Sequence, residues 1–200
     1  KTGGQSIISS SVSAWDVLQT EYPDLAEVAR QDFCFSRNQE QAIDEEPFYA
    51  QPLYDFEGGN IFGKWNRNRI TTAQQLEGVP ELTSSQRRCT DILDNILRRP
   101  EHMFTMWLEP GDLQFMNNHV MLHSRTEFED YKNPEKKRLL YRLWIAPPDS
   151  VKLPKSWQKF FRSIEPGSVR GGIRGHNYDE HRRKFEIRQA RSLGMVFPPN

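Results

Sequence analysis

A chain of 200 residues with 36% hydrophobic, 27% charged and 12% aromatic side chains is long enough to bury a core and too aromatic for a disordered segment. Its 27 basic and 27 acidic side chains cancel, so the whole-molecule field gives no long-range pull toward nucleic acid or an anionic membrane, and no run of about eighteen apolar residues exists to span a bilayer. Cys34 and Cys89 stand far apart and outside any CxxC, which excludes a disulfide framework or a thiolate zinc site; both read as buried small hydrophobes in a reducing, cytoplasmic setting. The chain opens on Lys1-Thr2-Gly3-Gly4 with no signal-peptide pattern, and its natural N-terminus is expected to lie outside these residues.

In chain order, Ser9, Ser10 and Ser11 lead into a short helix over 12–18, and Pro23-Asp24 into another over 25–30. Residues 32–63 mix prolines, acids and aromatics without helical period, which predicts mostly loop with short extended pieces near 48–50 and 61–65. The clearest helix covers 84–98. Cys89, Ile92, Leu93, Ile96 and Leu97 fall on one face, Thr83 and Gln86 have capping-box spacing, and Pro100 follows as a stop. The period then changes to two over 103–108, 113–116 and 138–145, with Pro110-Gly111-Asp112 as a turn. In the last of these predicted strands Arg138 and Arg142 share a face, roughly 13 Å apart at strand rise. Beyond Pro147-Pro148 the chain turns basic, with eleven Lys and Arg against four Asp and Glu from Val151 onward. There 157–161 is helical or aromatic-packed, 167–175 is a glycine-rich loop and 179–191 is a helix. The chain divides into a body, 1–148, and a basic extension, 149–200, packed on the same body.

Several groups carry no chemistry by themselves. The single stretch Val169-Arg170-Gly171-Gly172 reads as a turn rather than a nucleic-acid motif, His176 and His181 match no zinc spacing and read as surface histidines, and Trp65-Asn66-Arg67 suits either a pocket wall or a packed Trp beside solvated neighbours. Serine-hydrolase elbows and nucleotide loops are absent. The informative stretch runs from Glu109-Pro110-Gly111-Asp112 through Asn118 and His123 to Arg138 and Arg142. An imidazole beside two guanidinium groups suits a dicarboxylate, because Arg grips a carboxylate through two parallel charge-assisted bonds. A buried His with arginines satisfying Glu127 or Asp130 fits the same spacing.

The Pro-Gly-Asp turn, the Asn five residues before His123 and the Arg138-x-x-x-Arg142 spacing together resemble the C-terminal half of the iron(II)/2-oxoglutarate dioxygenases of the TauD/TfdA family, with similarity from about residue 1 to 146. That resemblance implies a mainly β fold with flanking helices, the double-stranded β-helix or jelly roll, with the 84–98 helix buttressing its outer face. It also implies iron(II) as cofactor and 2-oxoglutarate as cosubstrate. His123 takes the place of the distal iron ligand and Arg138 that of the 2-oxoglutarate carboxylate clamp. Ser6, in Gly3-Gly4-Gln5-Ser6, supplies a hydroxyl to the same carboxylate, and Arg142 faces the substrate's acidic group. The family's other two iron ligands come from a His-x-Asp/Glu motif upstream of the Gly-Gly segment, and none of the five histidines here begins such a motif.

Two function classes follow. One is an oxygenase that oxidises a small anionic molecule while converting 2-oxoglutarate and dioxygen to succinate and carbon dioxide, with no nucleic acid or membrane as partner. The other, motivated by the absent motif, is a non-catalytic carboxylate-binding or scaffold protein of the same fold. Nucleic-acid binding through the basic extension is a third, weaker reading.

Overall fold

The computed structural model describes residues 1–170 and 172–198. Its architecture is mixed strand and helix. Two short strands, β1 (Thr2–Gly3) and β2 (Ser6–Ser10), lead into helices α1 (Ser11–Glu21) and α2 (Pro23–Ala29), followed by β3 (Asp32–Ser36), β4 (Phe48–Pro52), β5 (Tyr54–Glu57) and β6 (Asn60–Gly63). Helices α3 (Arg67–Ala73) and α4 (Ser84–Leu97) precede β7 (Met103–Met106), β8 (Met121–Arg125) and β9 (Phe128–Glu129), and α5 (Glu180–Ser192) closes the order. Among the described residues the strands form four antiparallel sheets: β7-β2-β8, β1-β9, β3-β4 and β5-β6.

The helices begin where the sequence supplies caps. Ser10 accepts from the Ser13 amide at the start of α1, Pro23 occupies the first turn of α2, and Thr83 and Gln86 satisfy each other's amides in a complete capping box at α4. One face of α4 is apolar, and Cys89, Leu93 and Ile96 are fully buried against α1 and α2. The same core takes Trp15 and Leu18 from α1, Leu25 from α2, and the inward face of the β3-β4 hairpin, Phe33, Phe35 and Tyr49. Leu93→Ala removes side-chain volume that nothing nearby is free to refill, and the expected loss is about 2–5 kcal/mol, read from chemical denaturation.

Several expectations change. The 32–63 region holds four strands; each is only four or five residues long, so alternation has little room to register against the intervening Gly and Pro. Helix α3 was not foreseen; Asn66 caps it by accepting from the Arg69 amide, Arg67 pairs with Asp91 and Asp94, and Trp65 packs on the core, so this trio is structural rather than a pocket wall. The alternating segments 113–116 and 138–145 form no strands. Alternation encodes two faces, whereas a strand also needs a ladder partner, and neither segment finds one among the described residues. Leu113, Phe115, Tyr141 and Leu143 are consequently exposed. Arg138 and Arg142 therefore do not share a strand face. Helices hold more of the described residues than strands do, so the body is mixed rather than mainly β. Cys89 is buried as expected, but Cys34 is only half-buried, because it alternates out of the hairpin face that carries Phe33 and Phe35.

The C-terminal segment packs on the rest. Leu153 and Trp157 form a second apolar cluster with Phe62 of β6, and Phe160 joins the main core. Arg174 pairs with Asp44 and Glu45, and Lys152 with Glu57, joining the basic extension to the acidic body. Asp179 caps α5, while Arg162 bridges Tyr178 and Glu186. His176 is exposed yet not idle, since its Nε2 lies 2.6 Å from the Gln39 carbonyl. Gly171, in the arginine-glycine stretch, lies outside the described residues.

Candidate carboxylate site

The β7-β2-β8 sheet sets the site. Its register places Ser6 opposite Arg125 and Ile8 opposite His123. Residues directly opposed in an antiparallel pair project to the same side, so Ser6, His123 and Arg125 share one face, with Ser6 and His123 as diagonal neighbours. The other face carries Leu122 and Ser9 and packs toward the core. His123 thus lies within β8, on the exposed face, and partial desolvation followed by the positive charge of Arg142 lowers its pKa. A lowered pKa keeps the imidazole neutral, the form in which it can coordinate a metal.

The turn before β2 is held by Thr126, whose hydroxyl oxygen accepts from the amides of both Gly4 and Gln5 at 2.9 Å, while the Thr126 amide donates to the Gln5 carbonyl. Gly3 and Gly4 both have positive φ, +67° and +86°, which lets the backbone fold over this hydroxyl. The Gly4 carbonyl is thereby turned outward, and Arg138 Nη2 donates to it at 2.5 Å. Arg138 therefore sits against the Gly3-Gly4 turn that leads directly into Ser6. Arg142 acts on His123 through its charge.

Four residues distant in sequence are thus brought into one neighbourhood: Ser6 and His123 by register, Arg138 by the Gly4 carbonyl, Arg142 by its field on His123. The described contacts include no hydrogen bond between the Ser6 hydroxyl and Arg138. Thr126 and Arg125 were missed by sequence reasoning. Their signal was adjacency to His123, and only the β2-β8 register gives it meaning. Among the described residues no group of three or more His, Cys, Asp or Glu side chains is placed to hold a metal ion.

His119, four residues before His123, was also missed. Its ring packs edge-on to Phe62 and Trp157, and burial, then the charges of Arg170 and Lys64, lowers its pKa to about 4. The unfolded state, with an ordinary histidine near 6.5, binds more protons between these values. Stability from this group is therefore full above about pH 6.5, declines as the pH falls from there toward about 4 and levels off below it, a loss on the order of 2 kcal/mol. His119→Phe should flatten the acid limb of a stability–pH profile measured by thermal unfolding; an unchanged limb would show that other groups carry it.

Comparison with known proteins places these residues in a wider setting. A family model described as taurine catabolism dioxygenase TauD, TfdA family matches residues 1–144. FR-33289 synthase of Streptomyces rubellomurinus is 25% identical over 158 residues, covering 78% of this chain and 47% of that protein. The taurine hydroxylase-like protein SAT17 of Stachybotrys chartarum is 26% identical over 174 residues, covering 80% and 42%. The chain thus spans less than half the length of these curated relatives. Among solved structures, a putative alpha-ketoglutarate dependent 2,4-D dioxygenase from Burkholderia xenovorans aligns with a TM-score of 0.44 at 17% identity, over 62% of this chain and 50% of that one. The non-heme iron oxygenase OrfP in complex with Fe aligns at 0.39 and 18%, over 66% and 38%. Among the described residues, no helix is long and apolar enough to cross a membrane.

Proposed function

Because the chain belongs to the TauD, TfdA family of dioxygenases, we propose that it forms the distal, 2-oxoglutarate-binding part of an iron(II)/2-oxoglutarate-dependent oxygenase acting on a small anionic molecule. In this reading the body over 1–148 contributes to a double-stranded β-helix and 149–200 is an extension packed on it. Arg138 grips the distal carboxylate of 2-oxoglutarate and the Ser6 hydroxyl donates to the same group. Arg142 meets the acidic group of the substrate, and His123 is one iron ligand.

The observation that carries the reading is the hydrogen bond from Arg138 to the Gly4 carbonyl, which holds a guanidinium beside the turn leading to Ser6 within the family-matched segment. A guanidinium there can offer its remaining N–H groups to a carboxylate, and a backbone carbonyl on one side orients the fork. Iron does not fit the described donor set by itself: a facial triad needs two further protein ligands beside His123, and among the described residues no group of three such donors is gathered. By themselves these residues bind and orient a dicarboxylate, with neutral imidazole close by.

Isothermal titration of 2-oxoglutarate into the chain tests this. The expected result is saturable binding that glutarate competes for, and Ser6→Ala should weaken it by about tenfold or more, the worth of one hydrogen bond to a charged group. Absence of binding by the folded chain overturns the reading. The missing three-donor cluster favours a second reading, a carboxylate-binding protein without iron. Tighter 2-oxoglutarate binding in the presence of iron(II) would support the oxygenase and overturn the iron-free reading.

A further inference from the structure

Where the C-terminal extension meets β4 and β6, the molecule buries several donors and positive charges that are only partly supplied with acceptors. A continuous ring wall runs there: Tyr49 lies 5.0 Å from Phe160, Phe160 4.8 Å from Phe161, Phe161 stacks on Trp157 at 5.9 Å, and Trp157 meets His119 at 5.4 Å. Lys64 Nζ lies 3.9 Å from the Phe160 ring centre and 5.7 Å from that of Tyr49. Trp157, Tyr49 and Arg170 are each more than nine-tenths buried, yet among the described residues the Trp157 indole nitrogen, the Tyr49 hydroxyl and His119 Nδ1 have no hydrogen-bond partner, and Arg170, whose Nη2 donates to the Val151 carbonyl, leaves its Nε unpaired. Gln51, fully buried and two residues from Tyr49 on the same strand face, has neither amide atom partnered.

We propose that Lys64, His119, Trp157 and Arg170, flanked by Tyr49 and Gln51, form a binding site for a small oxoanion of the carboxylate or phosphate class. Unpartnered buried donors cost about 1–3 kcal/mol each, so a fold that gathers several of them is expected to fill the place with an acceptor. Water could satisfy hydrogen bonds but not charge. Lys64 and Arg170 both act on His119, and the influences on Lys64 and His119 are burial and further positive groups, with no carboxylate among them. Burial and the nearby Arg69 and Arg37 lower the Lys64 pKa to about 7, the mark of an ammonium without a counter-ion. An anion would supply it. Lys64, His119 and Phe161 are only half-buried, so the cluster reaches the surface. Arg170 and Trp157 come from the extension and Lys64 and His119 from the body, so the bound anion would also fasten the two together.

The test is thermal unfolding of the chain at constant ionic strength, with chloride replaced by inorganic phosphate in one arm and by acetate in another. Either anion at ten times its Kd should raise Tm by about 3 °C, and the anion that reaches this increment at the lower concentration identifies the preferred chemistry. Lys64→Met, which substitutes an apolar group into the ring wall and so keeps the fold, should abolish the increment, while Lys184→Met on the exposed face of α5 should retain it. In parallel, the Trp157 indole N–H resonance, assigned with Trp157→Phe, should shift on anion addition in the wild type and stay fixed in Lys64→Met. No increment with either anion, or an equal increment in Lys64→Met, overturns the site.

Discussion

Arg138→Ala is expected to weaken 2-oxoglutarate binding by about a hundredfold, because truncating one partner of a hydrogen-bonded charge pair costs on the order of 3 kcal/mol. The guanidinium donates to the Gly4 carbonyl at 2.5 Å, which fixes its place beside the turn and leaves its other N–H groups for a ligand. Arg138→Lys keeps a charge but loses the planar fork, so an intermediate loss of about tenfold is expected. The fold should change little, since Arg138 is exposed and water can reach the Gly4 carbonyl once the side chain is gone. Calorimetric titration read beside the melting temperature therefore separates a binding role from a structural one. Full affinity in Arg138→Ala would remove the residue from the site.

Gly3→Ala should be the most damaging single methyl in the chain's N-terminal region. Gly3 has φ +67°, and a Cβ built there would lie 1.9 Å from the Glu127 carbonyl oxygen, a backbone atom that cannot swing aside. The left-handed conformation alone costs a non-glycine residue about 1–2 kcal/mol, and relief of the clash must also break the pairing of Gly3 with Phe128. A total loss of about 3 kcal/mol or more is expected on those two grounds. Gly78→Ala is the control: its φ is +80° but nothing lies within 4 Å of the added methyl, so the penalty should stay near about 1 kcal/mol. Gly3→Ala should also lower 2-oxoglutarate affinity, because the Gly4 carbonyl that seats Arg138 moves with the turn. Equal melting temperatures for the two variants would show that the turn yields freely.

The sequence by itself determined the features that depend on neighbours in the chain. The capping box of Thr83 and Gln86, the apolar face of α4 and the cap of α5 by Asp179 arise from interactions over three or four residues, and they stand where the sequence puts them. The spacing of Asn118, His123, Arg138 and Arg142 similarly pointed to the family that the matched model identifies over 1–144. The alternating pattern of 138–145 was a weaker guide, because two-residue periodicity fixes which side chains share a face and says nothing of which strand pairs with it. Tertiary structure decided the rest. The β2-β8 register put Ser6 and His123 on one face across more than a hundred residues, and Thr126 locked the Gly3-Gly4 turn from the far side of the chain. Lys64, His119, Trp157 and Arg170 came together the same way, from four separate stretches whose spacing carries no motif. Their charges and unpaired donors acquire meaning only when burial removes water, and burial is a property of the packed chain.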